Sequence, residues 1–261
     1  MLFVDPFGLA LNRATLERIL NRSSSYQPID VIYHFSISAV ARMGRAAVLS
    51  NAGAIHNAAQ IEDALGVIRW RAAFRRADTP NAPTEAALHA AHMFGDSVAQ
   101  STGVRSTAVE VRQRPGQLPK YLLMLFSRVR QAHWDFADQA AKAYVDWLHH
   151  CDQEDFRANT ARLGGQGVLE IFAATEPAVE DAESSVRTRA RGYLPRHLTE
   201  LLQERGAVRP IDAIGDFYGQ LLGQARVTHL RAALKELHDQ GLIDDDCKRD
   251  FWNRQIRWTG S

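Results

Sequence analysis

Two cysteines are all that 261 residues contain, and Cys151 and Cys247 show neither a C-x-x-C nor any ligand-like spacing. That excludes a zinc ribbon and a disulfide-framed small domain. Net charge is almost as scarce. The chain has 31 basic and 30 acidic side chains, a balance of +1. No overall field draws it to nucleic acid or membrane, so any basic surface has to be local. No apolar run reaches the roughly 18 residues that would suggest a membrane span. The start has no signal-like pattern, and the expected location is the cytoplasm. Internal repeats, low-complexity tracts and a G-x-S-x-G nucleophile motif are missing too. The ten histidines do not gather like metal ligands. His149 and His150 are adjacent and diverge on a helix, and His89 and His92 share a face without a nearby acid. No metal is expected.

What is present suits a globular protein with a real core: 46% hydrophobic and 23% charged residues, enough for one large domain or two smaller ones. The opening stretch, Met1 to Gly8, runs apolar into Asp5-Pro6-Phe7-Gly8. It reads as a buried strand over 2–5 that stops at Pro6, which cannot donate to a ladder. Helical spacing follows over Leu9–Asn21, then a second apolar run at Asp30–Phe35. Strand, helix and strand in about 35 residues is the size of a βαβ unit with parallel strands. Helices are expected over Val40–Ala54, Gln60–Arg75 and Thr84–Gln100, the last capped by Thr84. Ser106–Arg114 alternates like a half-buried strand. Tyr121–Ser127 is continuously apolar, and the two are expected to pair antiparallel. An aromatic-rich helix covers Ala132–Cys151. The Gly164-Gly165-Gln166-Gly167 run follows no convincing strand and reads as a loop rather than a phosphate cradle.

From about Tyr193 the grammar changes. Short helices are expected over Pro195–Arg205, Ile211–Gln224 and His229–Gln240, the last capped by Thr228 and stopped by Gly241. A hairpin follows within Leu242–Trp258. Three helices and a hairpin in so short a stretch predict a winged helix. The expected division is therefore an α/β domain over 1–190 and a winged-helix domain over 191–261.

The combination FVDPFG, DVIYHF followed by Arg42, Gly66 with Trp70, YLLMLFS before a long helix, and the tail THLRAALKELHDQGLI resembles the three-Cys-motif partner proteins. The resemblance implies a Rossmann-like, methyltransferase-type fold and a methyltransferase-like role beside a radical-SAM-like three-cysteine-motif protein, on or near nucleic acid. It implies S-adenosylmethionine as cofactor. Asp5-Pro6-Phe7-Gly8 would match the family's Asp-Pro-aromatic-Gly turn at strand four, where amino-methyltransferases hold the target nitrogen. Two departures matter. The earlier strand, glycine-rich turn and acid that hold the cofactor have no counterpart here, so no cofactor residue is carried over. His34 stands where the family tends to have asparagine. Four strands, near 2–5, 30–35, 107–113 and 121–127, would make half of a seven-stranded sheet, with the first strand as an edge. An apolar edge invites pairing. The expectation is a longer natural product, a covering helix such as 132–150, or a second chain.

The candidate catalytic residues are Asp5, Pro6, Phe7 and His34. A carboxylate accepts hydrogen bonds from NH groups, and an imidazole titrates near neutrality. Equally, Asp5 fits a plain turn and His34 a satisfied core residue. Arg42 suits a phosphate or a surface ion pair, and Ser127-Arg128 a cleft or a loop start. In the tail, Arg226, His229, Arg231 and Lys235 would face a major groove. Lys248, Arg249, Arg254 and Arg257 would touch phosphates from the wing. The acidic run Asp244-Asp245-Asp246 opposes strong nonspecific binding. A non-catalytic DNA-binding or protein-docking adaptor is the alternative function.

Overall fold

The computed structural model describes residues 1–6, 11–22, 27–48, 52–66, 70–75, 81–164 and 177–260. Phe7 and Gly8 of the opening turn, and Gly165 to Gly167 of the glycine run, lie outside the described residues. The chain divides into two compact units, Met1–His133 and Trp134–Ser261, rather than at 190/191.

The first unit is built on a four-stranded mixed sheet. Strand β1 (Leu2–Val4) leads to helix α1 (Arg13–Asn21), strand β2 (Val31–Ser36) and helix α2 (Ile37–Val48). Helices α3 (Ala52–Leu65), α4 (Trp70–Arg75) and α5 (Ala82–Thr102) follow, then strands β3 (Arg105–Val111) and β4 (Tyr121–Ser127). The sheet order is β1-β2-β4-β3, with β1 parallel to β2 and β4 antiparallel to both β2 and β3. The parallel βαβ start and the β3–β4 pair agree with the sequence. The first strand does not fit a buried strand: β1 is the sheet edge, with Leu2 41% and Phe3 60% exposed.

Alternation sorts β2 cleanly. Val31, Tyr33 and Phe35 enter the core, while Ile32, His34 and Ser36 are half-buried on the other face. The core face is covered by helices through Leu16, Leu20, Ile37, Val40, Trp70, Phe74 and Phe94. Caps set the helix limits. Asn12 accepts the Thr15 N–H at 3.0 Å and starts α1 at Arg13, later than the spacing alone suggested. Ser36 Oγ accepts the Ala39 N–H at 3.3 Å, so α2 begins directly where β2 ends. Gly66, at φ +77°, closes α3 and breaks what reads in sequence as one helix over 60–75. Asn81, not Thr84, stands at the cap of α5, and Gly103 ends it in the left-handed region. Gly44 lets α4 approach α2: a Cβ there would lie 2.4 Å from the Phe74 ring.

The second unit contains most of α6 (Arg130–Gly164), then α7 (Val179–Arg205), strand β5 (Ala207–Val208) and α8 (Ile214–Tyr218). It closes with α9 (Val227–Asp239) and strand β6 (Ile256–Arg257). Helix α7 passes straight through Pro195, where the sequence suggested a fresh start. Its buried stripe, Ala182, Val186, Ala190, Leu194, Leu198 and Leu202, recurs every fourth residue and outweighs the one hydrogen bond proline removes. Trp134 and Ala137 of α6 pack with Ala190, Leu194, Leu198 and Leu202 of this stripe and with Phe217, Tyr218, Leu230 and Phe251. That shared core is why the boundary falls before Trp134. The helix expected over 211–224 is broken into two single 3-10 turns and α8, with Gly219 at φ +53°. β5 pairs antiparallel with β6, and Ile243 bridges Trp258, so the tail forms a small ribbon. Arg226 rather than Thr228 caps α9.

Candidate functional site

Parallel pairing of β1 with β2 puts Val4 opposite Tyr33, so the next residues lie side by side, Asp5 just past the carboxyl end of β1 and His34 two residues before the end of β2. His34 Nδ1 lies 2.7 Å from Asp5 Oδ1. The atoms are close but not aligned as a hydrogen bond, since Nδ1 lacks a hydrogen-bonded partner. The Asp5 side chain is 61% exposed and open to a solute, while that of His34 is 22% exposed with its Nδ1 buried. Tyr121 opposes Ser36 in the register and is thus the diagonal neighbour of His34. The two rings meet edge-on at 4.4 Å. Ser36 and Ser38 hydroxyls lie 3.4 Å apart just beyond. Pro6 is buried behind Asp5. A carboxylate, an imidazole and two hydroxyls therefore line one end of the sheet, and together they can accept from and donate to an NH-bearing group.

The opposite end of the same sheet face holds a second polar group. Ser127 Oγ donates to Asp30 Oδ1 at 2.5 Å and accepts the Val129 N–H at 2.9 Å. His133, 2% exposed, sits 3.2 Å by Nε2 from the Ser127 carbonyl and 2.8 Å by Nδ1 from the Thr107 hydroxyl. A carbonyl only accepts, so Nε2 carries the proton and Thr107 donates to Nδ1. Burial lowers the His133 pKa, and the neutral ring is the one this network needs. Arg128 donates to the Thr102 carbonyl at 2.8 Å and so closes the end of α5 rather than lining a cleft. Arg42 is exposed on α2.

Most of the tail cations are engaged within the tail, Arg257 weakly with Gln255 Oε1 at 3.5 Å. Lys248 pairs with Asp246 at 3.0 Å, and Arg254 with Asp245 at 3.1 Å. Arg231 lies over the Phe251 ring at 5.5 Å. The Arg226 N–H donates to His229 Nδ1 at 3.1 Å, and Asp138 of α6 accepts the Val227 N–H at 3.1 Å. Arg226 and His229 thus build the start of α9. Lys235, Arg249 and Arg257 are exposed. Both cysteines are free and buried, and burial followed by the Asp245 charge raises the Cys247 pKa to about 12. Among the described residues no group of three or more His, Cys, Asp or Glu could hold a metal ion, and no helix is long and apolar enough to cross a membrane.

Sequence reasoning placed Asp5 and His34 but missed Tyr121 and Ser36, whose only signal was alternation within two apolar runs. Asp138 had no signal at all, being 89 residues from the amide it caps. No family model, curated protein or solved structure matches the chain.

Proposed function

We propose that this chain is a methyltransferase-like partner protein that acts with a radical-SAM-like three-cysteine-motif protein on or near nucleic acid. The observation that carries the proposal is Asp5 at the carboxyl end of β1 beside His34 in the last half of the adjacent parallel β2, towards the sheet end where open α/β sheets take ligands. The order β1-β2-β4-β3, two parallel strands followed by an antiparallel one wedged before the last, is what half of a seven-stranded methyltransferase-type sheet would present. The sequence of helix, strand, two helices and ribbon after Pro195 supports a winged helix.

S-adenosylmethionine is the cofactor this proposal implies, and the described residues do not fit it. β2 runs into α2 without a loop, and no glycine-rich turn with an acid on the next strand accompanies Asp5 among the described residues. The part these residues play is positioning: Asp5 accepts an N–H, and His34 and the hydroxyls fix its direction. Reconstitution tests this. The two proteins are expected to co-elute in size-exclusion chromatography. His34→Ala is expected to abolish modification of nucleic acid by the pair while leaving the complex intact. Separate elution at micromolar concentration would remove the partner role.

A non-catalytic DNA-binding adaptor is the second reading, favoured by the exposed Lys235, Arg249 and Arg257. It predicts duplex binding whose logarithm falls with log salt by about 0.9 per phosphate neutralised. An Arg231→Ala/Lys235→Ala variant would lose that binding. The acidic partners of Lys248 and Arg254 keep the count of contacts small.

A further inference from the structure

Within the second unit, a cavity of ≈ 310 Å³ opens between α7 and α9, bordered by Arg187, Arg191, His229 and Glu236 over a floor of Ala190 and Ala233. A smaller hollow of ≈ 90 Å³ shares Arg187 and His229 and reaches Arg226 and Glu183. We infer that this cleft binds a phosphate monoester, either inorganic phosphate or the phosphate of a mononucleotide. The inference goes beyond the function proposed above and does not rest on it.

The first support is an unrelieved pair of like charges. Arg187 and Arg191 stand one helical turn apart on α7, a spacing at which two cations repel. Neither has an acid within ion-pair distance among the described residues. Glu183 precedes Arg187 by four residues, the order that favours an i,i+4 pair, and the pair is not formed. The second support is the state of His229. Its Nδ1 accepts the Arg226 N–H at 3.1 Å, so the neutral ring carries its proton on Nε2. No partner meets that N–H among the described residues. The third is Arg226, whose Nε is buried without a hydrogen bond, 3.7 Å from Asp138 Oδ1. Arg187, Arg191 and the His229 ring N–H therefore border two hollows with shared walls and have no acid or acceptor of their own among the described residues, while Arg226 is held by Asp138 alone.

The ligand class follows from this set. The Val227 amide of α9 and the Arg226 amide before it are taken, by Asp138 and His229 respectively. Side chains are the main donors, and arginine forks match phosphate oxygens in a bidentate way. Two forks and a ring N–H suit three terminal oxygens better than the two of a carboxylate. Glu183 and Glu236 on the rim oppose a run of phosphates, as in a duplex backbone, but not a single one. Glu236 can also accept from a sugar hydroxyl or a base amine. The small side chains Ala190 and Ala233 leave a space at the low end of ligand-sized pockets.

Calorimetric titration of the full chain with inorganic phosphate and with 5′-AMP tests the inference. Both are expected to bind and to compete. An Arg187→Gln/Arg191→Gln variant is expected to weaken binding at least about tenfold, with its melting temperature kept or raised. Arg196→Gln, on α7 but away from the cleft, is expected to bind like the parent. AMP binding much more tightly than phosphate assigns the site to a nucleotide; equal affinities assign it to free phosphate. If neither binds at millimolar concentration, if only duplex DNA binds, or if the double variant binds unchanged, the inference fails.

Discussion

The same sheet face carries an aspartate and a histidine at each end, and the two pairs have opposite fates. Asp30, with Ser127, Thr107 and His133, is knitted into a buried network in which every ring nitrogen of His133 has its partner. Asp5 and His34 stand at the other end, close but unaligned, with the carboxylate mostly in solvent. The residue types are alike, so composition does not separate structure from function here. Burial and completed hydrogen bonding do. A network with nothing left to offer holds the start of α6 to the sheet, whereas a pair with unused capacity beside the carboxyl end of β1 can serve a ligand.

The comparison breaks most directly at His133. His133→Ala would leave the Thr107 hydroxyl and the Ser127 carbonyl short of a partner and open a cavity. A loss of about 3 kcal/mol is expected, read as a lower denaturation midpoint at unchanged slope. Ser127→Ala removes one hydroxyl that both donates to Asp30 and accepts from Val129, and about 1–2 kcal/mol should follow. The pH dependence sharpens the contrast. The folded His133 pKa lies below its ordinary 6.5, so the unfolded chain binds the extra proton first. Its contribution is present above pH 6.5 and is lost as pH falls from there toward the folded pKa, by at most about 1.4 kcal/mol per unit. That part of the acid slope should vanish in His133→Asn, measured by denaturation at pH 7 and pH 5. The smallest effect belongs to the open end. Asp5→Ala should change stability by only ~0.2–1 kcal/mol, as expected of an exposed pair. A loss as large as that of His133→Ala would show that the open pair is structural after all.

Legibility followed the range of the forces. The βαβ start and the β3–β4 pair were readable because alternation and helical spacing are local. Thr84 was misplaced by a few residues, since α5 starts after Asn81 with proline in its first turn. Thr228 was misplaced for the opposite reason. The start of α9 is held by His229 from within and by Asp138 from α6, a distant carboxylate that tertiary packing brings close. Pro195 shows the same hierarchy: its local breaking signal yields to a buried stripe on both sides of it.

By itself the sequence determined the four strands of the main sheet, most helices, and Asp5 at a strand end with His34 inside the next apolar run, because periodicity and proline chemistry act over a few residues. Only the tertiary structure decided that the two meet, that Leu2 and Phe3 form an exposed edge, and that Ser127 and His133 are consumed internally. It also gathered Arg187, Arg191 and His229 around one cavity. Those outcomes depend on strand register and helix packing between residues far apart in the chain, and such pairings leave no periodic mark in the sequence.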